Sequence, residues 1–116
     1  MKKLILFEWD AERAARRAEM LRKSGWSVEV EAEDGRRGSG KVLNEKPDVV
    51  LFDLSRRPSH SRATAEGIRG YKAGKGIPLV FIDGTEEDRR KVAERVSGAI
   101  FIASELLLKR LSQFDA

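Results

Sequence analysis

The sequence has no cysteine and a single histidine, His60, among its 116 residues. Disulfide frameworks and thiolate-ligated metal sites are therefore excluded, and one histidine cannot build a multi-histidine zinc site. The apolar runs, such as Val49–Phe52 and Leu79–Ile82, are far too short to cross a bilayer, and the Met-Lys-Lys start lacks the apolar run of a signal peptide. We therefore expect a cytoplasmic protein with no membrane segment.

The basic excess is small and local. The net charge is +4, and one segment, residues 54–75, holds most of the excess, with a single acid, Glu66, against Arg56, Arg57, Arg62, Arg69, Lys72 and Lys75. Such a segment is typical of a solvated surface or of a face that contacts an acidic partner. Nucleic-acid binding is less favoured because Tyr71 is the segment's only aromatic ring for stacking and no recognition helix is evident.

Apolar segments alternate with helical ones five times along the chain. Four continuous apolar runs predict strands buried on both faces, and an alternating run predicts an edge strand: Lys3–Phe7, Asp48–Leu54, Pro78–Ile82, Ala99–Ala103 and, alternating, Val28–Glu33. Helices are predicted at Ala11–Lys23, 36–46, Ala63–Ala73, from Thr85 and from Ser104. This order predicts an α/β fold, a doubly wound five-stranded parallel sheet with helices on both faces, and the length predicts one domain over residues 1–116.

Acidic side chains follow the predicted strands. Glu8 and Asp10 come after the first strand, Asp53 ends the third, Asp83 follows the fourth, and Ser104 follows the fifth. Because the carboxyl ends of parallel strands meet at one edge, we expect Glu8, Asp53 and Asp83 to lie within several Å of one another. Mutual repulsion would then raise the pKa of at least one of them.

Two accounts of this acidic edge remain open from the residues. A cluster of carboxylates suits a hard divalent cation such as Mg²⁺ or Ca²⁺. Alternatively, Arg56 or Arg57 folds over the carboxylates and neutralises them. If repulsion dominates, the substitution Asp83→Thr is expected to stabilise the protein at pH 7.

Four short motifs connect the chain to a known family. They are Gly25-Trp26-Ser27-Val28, Asp34-Gly35, Pro47-Asp48-Val49-Val50-Leu51-Phe52-Asp53-Leu54 and Ile77-Pro78-Leu79-Val80. In type and spacing they resemble the receiver domain of bacterial response regulators, a flavodoxin-like fold, and the resemblance covers essentially the whole chain.

The resemblance implies specific roles at the acidic edge. In receivers a histidine kinase donates a phosphoryl group to an aspartate after the third strand, beside a Mg²⁺ held with an acidic pair. A Ser or Thr and a Lys bind the phosphoryl oxygens, and an aromatic residue moves inward. Asp53 corresponds to the phosphoacceptor and Phe101 to the aromatic switch, whereas Trp9, Asp83 and Ser104 replace the second acid, the hydroxyl and the lysine.

These replacements make the edge about two charges more negative than in a working receiver. Each unit charge at about 4 Å is worth on the order of 4 kcal/mol at an effective dielectric constant near 20, and phosphoryl transfer needs positive charge around the oxygens. We therefore predict a non-catalytic pseudo-receiver without a cofactor, acting as a phosphorylation-independent protein-interaction module. The alternative is an atypical receiver in a two-component phosphorelay, phosphorylated on Asp53 with Mg²⁺ held by Glu8, Asp10 and Asp53.

The partner is expected to be a signalling protein. Receivers commonly bind partners through the fourth helix, fifth strand and fifth helix, a face that here would contain Arg89, Arg90 and Lys109. The second choice is the basic segment with Arg56, Arg57 and Arg62. The sequence specifies neither the partner nor the oligomeric state.

Overall fold

The computed structural model describes residues 2–114, and within them it contains five strands and five α-helices. The strands are β1 (Lys3–Phe7), β2 (Ser27–Glu31), β3 (Val49–Asp53), β4 (Leu79–Ile82) and β5 (Ile100–Ile102). The helices are α1 (Ala11–Lys23), α2 (Gly35–Glu45), α3 (Pro58–Arg69), α4 (Glu86–Arg95) and α5 (Leu107–Leu111), with single 3-10 turns at Lys72–Gly74, Ser104–Leu106 and Ser112–Phe114.

All strand pairings are parallel, and the strand order is β2-β1-β3-β4-β5. The predicted doubly wound sheet is therefore confirmed, with β2 at an edge as expected. The chain winds in one direction from β1 to β2 and in the other from β3 onward. This reversal opens a crevice at the carboxyl ends of β1 and β3, where ligands meet sheets of this kind.

The strands bury side chains on both faces of the sheet. On one face, Leu4 and Leu6 pack in a core with α1 and α5, through residues such as Leu21 and Leu107. On the other face, a second core joins the strands to α2, α3 and α4 and contains a row of aromatic rings. Phe52 stacks between Phe7 and Phe81, with ring centroids 4.8 and 4.9 Å apart. The continuous apolar runs are explained by these two cores.

Side-chain caps set where the helices begin. Asp10 Oδ1 accepts hydrogen bonds from the backbone N–H groups of Glu12 and Arg13, which fixes the start of α1 directly after β1. Asp34 caps α2 in the same way, and Thr85 and Asp88 form a capping box on α4. Because α1 starts at the carboxyl edge of the sheet, its first two turns lie over that edge.

Glycine and proline explain features of two helices. Helix α2 is regular through Gly38, Ser39 and Gly40, and Gly38 packs against the ring of Phe7, where a Cβ would come within 2.2 Å of a ring carbon. Helix α3 begins at Pro58 rather than near residue 63, since proline suits the first helical position. His60 therefore belongs to α3.

Within the described part of the chain, no helix has both the length and the apolar character needed to cross a membrane.

Candidate functional site

The side chain of Asp53 is almost completely buried at the end of β3, with 1 % of its surface exposed. Its Oδ1 accepts hydrogen bonds from the backbone N–H of Ser55, at 2.7 Å, and from the Ser55 hydroxyl. Its Oδ2 accepts from Nη2 of Arg13 at 3.1 Å and from Nη2 of Arg17 at 3.0 Å. Both oxygens of the carboxylate therefore have protein donors.

Both arginines come from α1. Arg13 and Arg17 are four residues apart, so they share one side of the helix, next to the buried Ala14 and Ala18. The cap at Asp10 places their two turns above the end of β3. We name this arrangement, in which Arg13 and Arg17 bind Asp53 and Arg13 also binds Glu8, the arginine bridge.

Glu8 follows β1 and is as deeply buried as Asp53, with 1 % exposed. Its Oε1 accepts from Nε of Arg13 at 3.0 Å, whereas its Oε2 has no hydrogen-bond donor among the described residues. Burial, a hydrogen bond with Asp53 and the charge of Asp53 raise the pKa of Glu8 to about 7, against the opposing charges of Arg17 and Arg13. When Glu8 is protonated, its carboxyl group donates a hydrogen bond to Asp53. The proton thus gives Oε2 a partner that it lacks among the described residues.

Asp53 is the ionised member of this pair. Burial by itself would raise its pKa, but hydrogen bonds from Glu8 and Ser55 together with the charge of Arg17 hold the pKa below its ordinary value. The pKa values of the two carboxyl groups are therefore shifted in opposite directions. Glu8 keeps its proton to a higher pH than an ordinary glutamate does, and Asp53 stays anionic under two guanidinium groups.

Arg13 joins two of the three carboxylates that were expected to form a repelling cluster. Glu8 and Asp53 form a pair bridged by this arginine, while Asp83 Oδ1 accepts from the backbone N–H of Ser104 at 2.8 Å. The expectation that at least one pKa is raised is confirmed at Glu8, with burial as the largest cause and Asp53 as the leading carboxylate. The backbone of Asp83 has a left-handed φ of 58°.

Asp10 lies outside the carboxylate pair as well. It is the N-cap of α1, and its Oδ2 lies 3.7 Å from Nε of Arg56. The expected neutralisation of the acidic edge by Arg56 or Arg57 is therefore found only between Arg56 and Asp10, and the donors to Asp53 are Arg13, Arg17 and Ser55 instead. Arg57 is the exposed N-cap residue of α3, with a φ of 47°.

Sequence reasoning missed the two arginines that matter. Other charged residues of α1 form two exposed i,i+4 pairs, Glu12–Arg16 and Glu19–Lys23. The available signal was the position of Arg13 and Arg17, each directly before a buried alanine of the helix. A charged residue beside the buried stripe can reach the sheet edge, whereas one on the opposite side cannot.

Trp9 packs against the core that joins the sheet to α2, α3 and α4. Its Nε1 donates to the Ser61 hydroxyl at 2.8 Å, and its ring centroid lies 4.2 Å from that of His60 and 5.8 Å from that of Phe7. His60 is half-buried against Trp9, and burial and then the charge of Arg57 lower its pKa.

The residues beyond β4 and β5 surround a separate opening. Phe101 is half-buried with its ring 5.8 Å from that of Phe81, and it lines a cavity of about 380 Å³ with Asp83, Gly84, Arg89 and Ala103. Nη1 of Arg89 donates to the carbonyl of Gly84 at 2.5 Å. The structure thus places Asp83 and Phe101 at the opening on the α4–β5 side, whereas Ser104 lines a different cavity together with Arg13, Arg16 and Arg17.

Comparisons with solved structures find receiver domains. The Vibrio cholerae chemotaxis protein CheY4 superposes with a TM-score of 0.81 and 20% identity, covering 98% of each chain. The receiver domain of a Pseudomonas aeruginosa sensor histidine kinase, with magnesium coordinated in its active-site cleft, gives 0.78 and 18% identity over 99% of this chain and 98% of that one. The BeF3-activated receiver domain of Klebsiella pneumoniae RstA gives 0.78 and 24% identity over 97% of each chain.

No family model matches the sequence, and no curated protein matches it. The structural neighbours are response-regulator receiver domains, and the chain has their fold.

The residues present do not fit a magnesium ion of the kind seen in the Pseudomonas neighbour. Both oxygens of Asp53 already have donors, two of them guanidinium groups, and Trp9 stands beside Glu8 in the chain where a second acid would be needed. Among residues 2–114, no three histidine, aspartate or glutamate side chains come together in a way that could hold a metal ion. Arg13 and Arg17 supply the positive charge that a cation would otherwise bring to Asp53.

The raised pKa of Glu8 predicts a pH-dependent stability. A carboxyl group whose pKa is higher in the folded state stabilises the fold below its unfolded pKa, here 4.5, and this contribution is lost as pH rises through about 7. The variant Glu8→Gln keeps a neutral donor at every pH. Between pH 5 and pH 8.5, its free energy of unfolding should therefore rise relative to wild type by on the order of 2 kcal/mol.

Urea unfolding of both proteins across this pH range measures the effect, and titration of His60 cancels in the difference because both proteins contain it. If the free energies of unfolding of the two proteins changed with pH in the same way, the raised pKa of Glu8 would be contradicted.

Asp83→Thr should destabilise the protein, in contrast to the expectation from repulsion. Threonine loses the acceptor for the Ser104 N–H and is β-branched at a left-handed φ. The combined cost should be about 1 to 3 kcal/mol. Asp83→Asn is the matched control, because asparagine keeps the acceptor oxygen and tolerates this conformation. Thermal unfolding at pH 7 of the three proteins tests this, and a threonine variant at least as stable as wild type would restore the repulsion account.

Proposed function

We propose that this chain is a pseudo-receiver: a non-catalytic, cytoplasmic signalling domain related to response-regulator receivers, which binds a protein partner without being phosphorylated. The receiver fold supports the first part of the proposal. The observation that carries the second part is the arginine bridge, since the carboxylate equivalent to the phosphoacceptor, Asp53, is buried and bound by Arg13, Arg17 and Ser55.

The bridge opposes attack by Asp53 on a phosphoryl donor. A carboxylate oxygen that attacks phosphorus must give up a lone pair, and each oxygen of Asp53 already accepts two hydrogen bonds. Freeing one charge-assisted bond costs about 1.5 to 3 kcal/mol. Hydrogen bonds that lower the pKa of Asp53 also make its oxygens weaker nucleophiles.

The rest of the edge lacks the groups that bind phosphoryl oxygens in receivers. Asp83 brings a negative charge to the position of the hydroxyl and uses its carboxylate on the Ser104 N–H. Ser104 has no positive charge to offer in place of lysine. Positive charge around the transferring oxygens is the main contribution that a protein makes to phosphoryl transfer.

Partner binding is proposed on the face formed by α4, β5 and α5. This face has the cavity beside Phe101, and two leucines in the segment after β5, Leu106 and Leu108, are each 43% exposed. Lys109, which follows Leu108 in α5, is also exposed. Exposed apolar side chains beside a cavity are typical of a protein–protein contact. Arg90 belongs to the rim, where it pairs with Glu87 and Glu94.

The basic segment stays the second choice for this surface. Arg56 is pulled toward Asp10 and Arg62 is half-buried, so fewer of its cations are free than the sequence suggested.

Incubation with acetyl phosphate and Mg²⁺ should leave the protein unmodified. Intact mass under denaturing conditions detects only covalent products, and a species heavier by about 80 Da would report one added phosphoryl group. A receiver that is known to accept phosphate from this donor, treated in parallel, shows that the assay works. A heavier species that is lost in Asp53→Asn would establish the alternative, an atypical receiver phosphorylated on Asp53.

Substitutions on the two candidate faces should have different effects on association. Leu108→Asp together with Lys109→Glu should reduce retention of the partner by at least about tenfold, since exposed apolar side chains near the centre of an interface dominate binding. The triple variant Arg56→Gln, Arg57→Gln and Arg62→Gln should retain it. Cross-linking in the native cell with quantitative mass spectrometry provides the measurement, after circular dichroism has shown that both variants are folded. The opposite ranking would assign the partner to the basic segment.

A further inference from the structure

A second feature of α1 is an open cavity on the outer side of the arginine bridge. It has a volume of about 380 Å³ and is lined by Arg13, Arg16, Arg17, Met20 and Ser104. Three of its five lining residues are arginines, and none is acidic. Two of the carboxylates that balance these arginines, Glu8 and Asp53, are buried at the sheet edge. The third, Glu12, pairs with Arg16 from the preceding turn of the same helix and is itself exposed.

The arginines have hydrogen-bond donors left over. A guanidinium group has five N–H donors. Arg17 uses Nη2 on Asp53 and has no other protein partner among residues 2–114, although its side chain is only 13% exposed. Arg13 uses Nε and Nη2, and Arg16 uses Nη1 on Glu12, so Nη1 of Arg13 and Nε and Nη2 of Arg16 have no acceptor in the described part of the protein.

The buried carboxylates also hold the arginines in place. Arg13 is fixed by Glu8, Asp53 and Ser55, and Arg17 by Asp53, so their remaining N–H groups have a defined direction before any ligand arrives. Preorganised donors lose less conformational entropy on binding than free surface arginines do. This distinguishes the cavity from an ordinary basic patch.

We propose that this cavity, on the outer side of Arg13, Arg16 and Arg17, is a non-covalent binding site for a phosphate or phosphomonoester dianion. Planar guanidinium groups match the oxygens of phosphate in paired hydrogen bonds. Ser104 adds a hydroxyl on the opposite wall, and Met20, 37% exposed, adds an apolar surface for the ester substituent. The cavity lies at the lower end of the size range of small-molecule sites.

The site goes beyond the proposed function, because it needs no transfer of the phosphoryl group to Asp53. The anion would contact Arg13 and Arg17, which also bind Asp53. Binding of the anion would therefore affect the buried pair of Glu8 and Asp53.

Two-dimensional ¹H–¹⁵N NMR, including the arginine Nε–H signals, tests the site. The probes are inorganic phosphate, N-acetyl-O-phosphoserine and, as a carboxylate control, acetate, all at constant pH and ionic strength. We expect saturable shifts of Arg13, Arg16, Arg17 and Ser104 with a Kd of about 1 mM or tighter for a phosphate-bearing probe. Similar affinity for both phosphate probes would identify the ligand as the free phosphate anion. Tighter binding of the phosphoserine probe would identify it as a phosphate ester.

Matched arginine variants separate this site from general attraction. Arg16→Gln should weaken binding at least about tenfold without unfolding the protein, because Arg16 is 65% exposed and, among residues 2–114, forms an ion pair only with the exposed Glu12. Arg16→Lys should show an intermediate loss, since it keeps the charge but not the paired donors. Arg95→Gln, an exposed arginine at the end of α4, should bind as wild type does.

Three results would overturn the proposal: shifts that grow linearly without saturation, equal shifts with acetate, or equal losses in Arg16→Gln and Arg95→Gln. None of these bears on whether Asp53 becomes covalently modified, so the outcome here and the acetyl phosphate result are independent.

Discussion

The buried charge of Asp53 is the constraint on which the carboxyl edge of this protein depends. A carboxylate with 1 % of its surface exposed cannot stay ionised unless charges and donors replace the water that it has lost. Here Arg13, Arg17 and Ser55 replace that water, and Glu8, whose pKa is raised to about 7, contributes a proton instead of a second charge. A buried pair of this kind adds little net stability, but removing one partner is costly because the other charge is left uncompensated.

This solution has a consequence for chemistry at the edge. The receiver fold offers a crevice where strands β1 and β3 diverge, and one structural neighbour holds magnesium in its cleft. In this chain arginine side chains from α1 reach into the same region, and Trp9 donates to Ser61. Positive charge is still present near Asp53, but it belongs to protein side chains that are hydrogen-bonded to the carboxylate. A guanidinium group binds a ligand only through hydrogen bonds, whereas a metal cation with open coordination positions coordinates a ligand oxygen directly.

Helix α1 therefore has two roles that follow from its periodicity. Ala14, Ala18 and Leu21 pack against the sheet, and the residues directly before the alanines, Arg13 and Arg17, reach over its edge. The helix starts where it does because Asp10 caps it immediately after β1. Asp10 is thus a structural residue of the site, although its position in the sequence suggested a metal ligand. Its pKa is lowered chiefly by the backbone N–H of Arg13, with a further contribution from the N–H of Glu12.

The sequence by itself determined the fold and the position of the key carboxylates. Continuous apolar runs such as Val49–Phe52 require burial on both faces, which only a covered parallel sheet provides, and Asp53 and Glu8 follow such runs directly. Only the tertiary structure decided what surrounds them. Arg13 and Arg17 are 40 and 36 residues from Asp53 in the chain, farther away than the adjacent Arg56 and Arg57, yet they make the contacts. The reason is geometric: the turn after β3 directs Arg56 toward Asp10, whereas the cap of α1 holds two helical turns directly above Asp53. Charge and spacing identify which residues need partners, but the direction of each long side chain is set by the packing of its backbone.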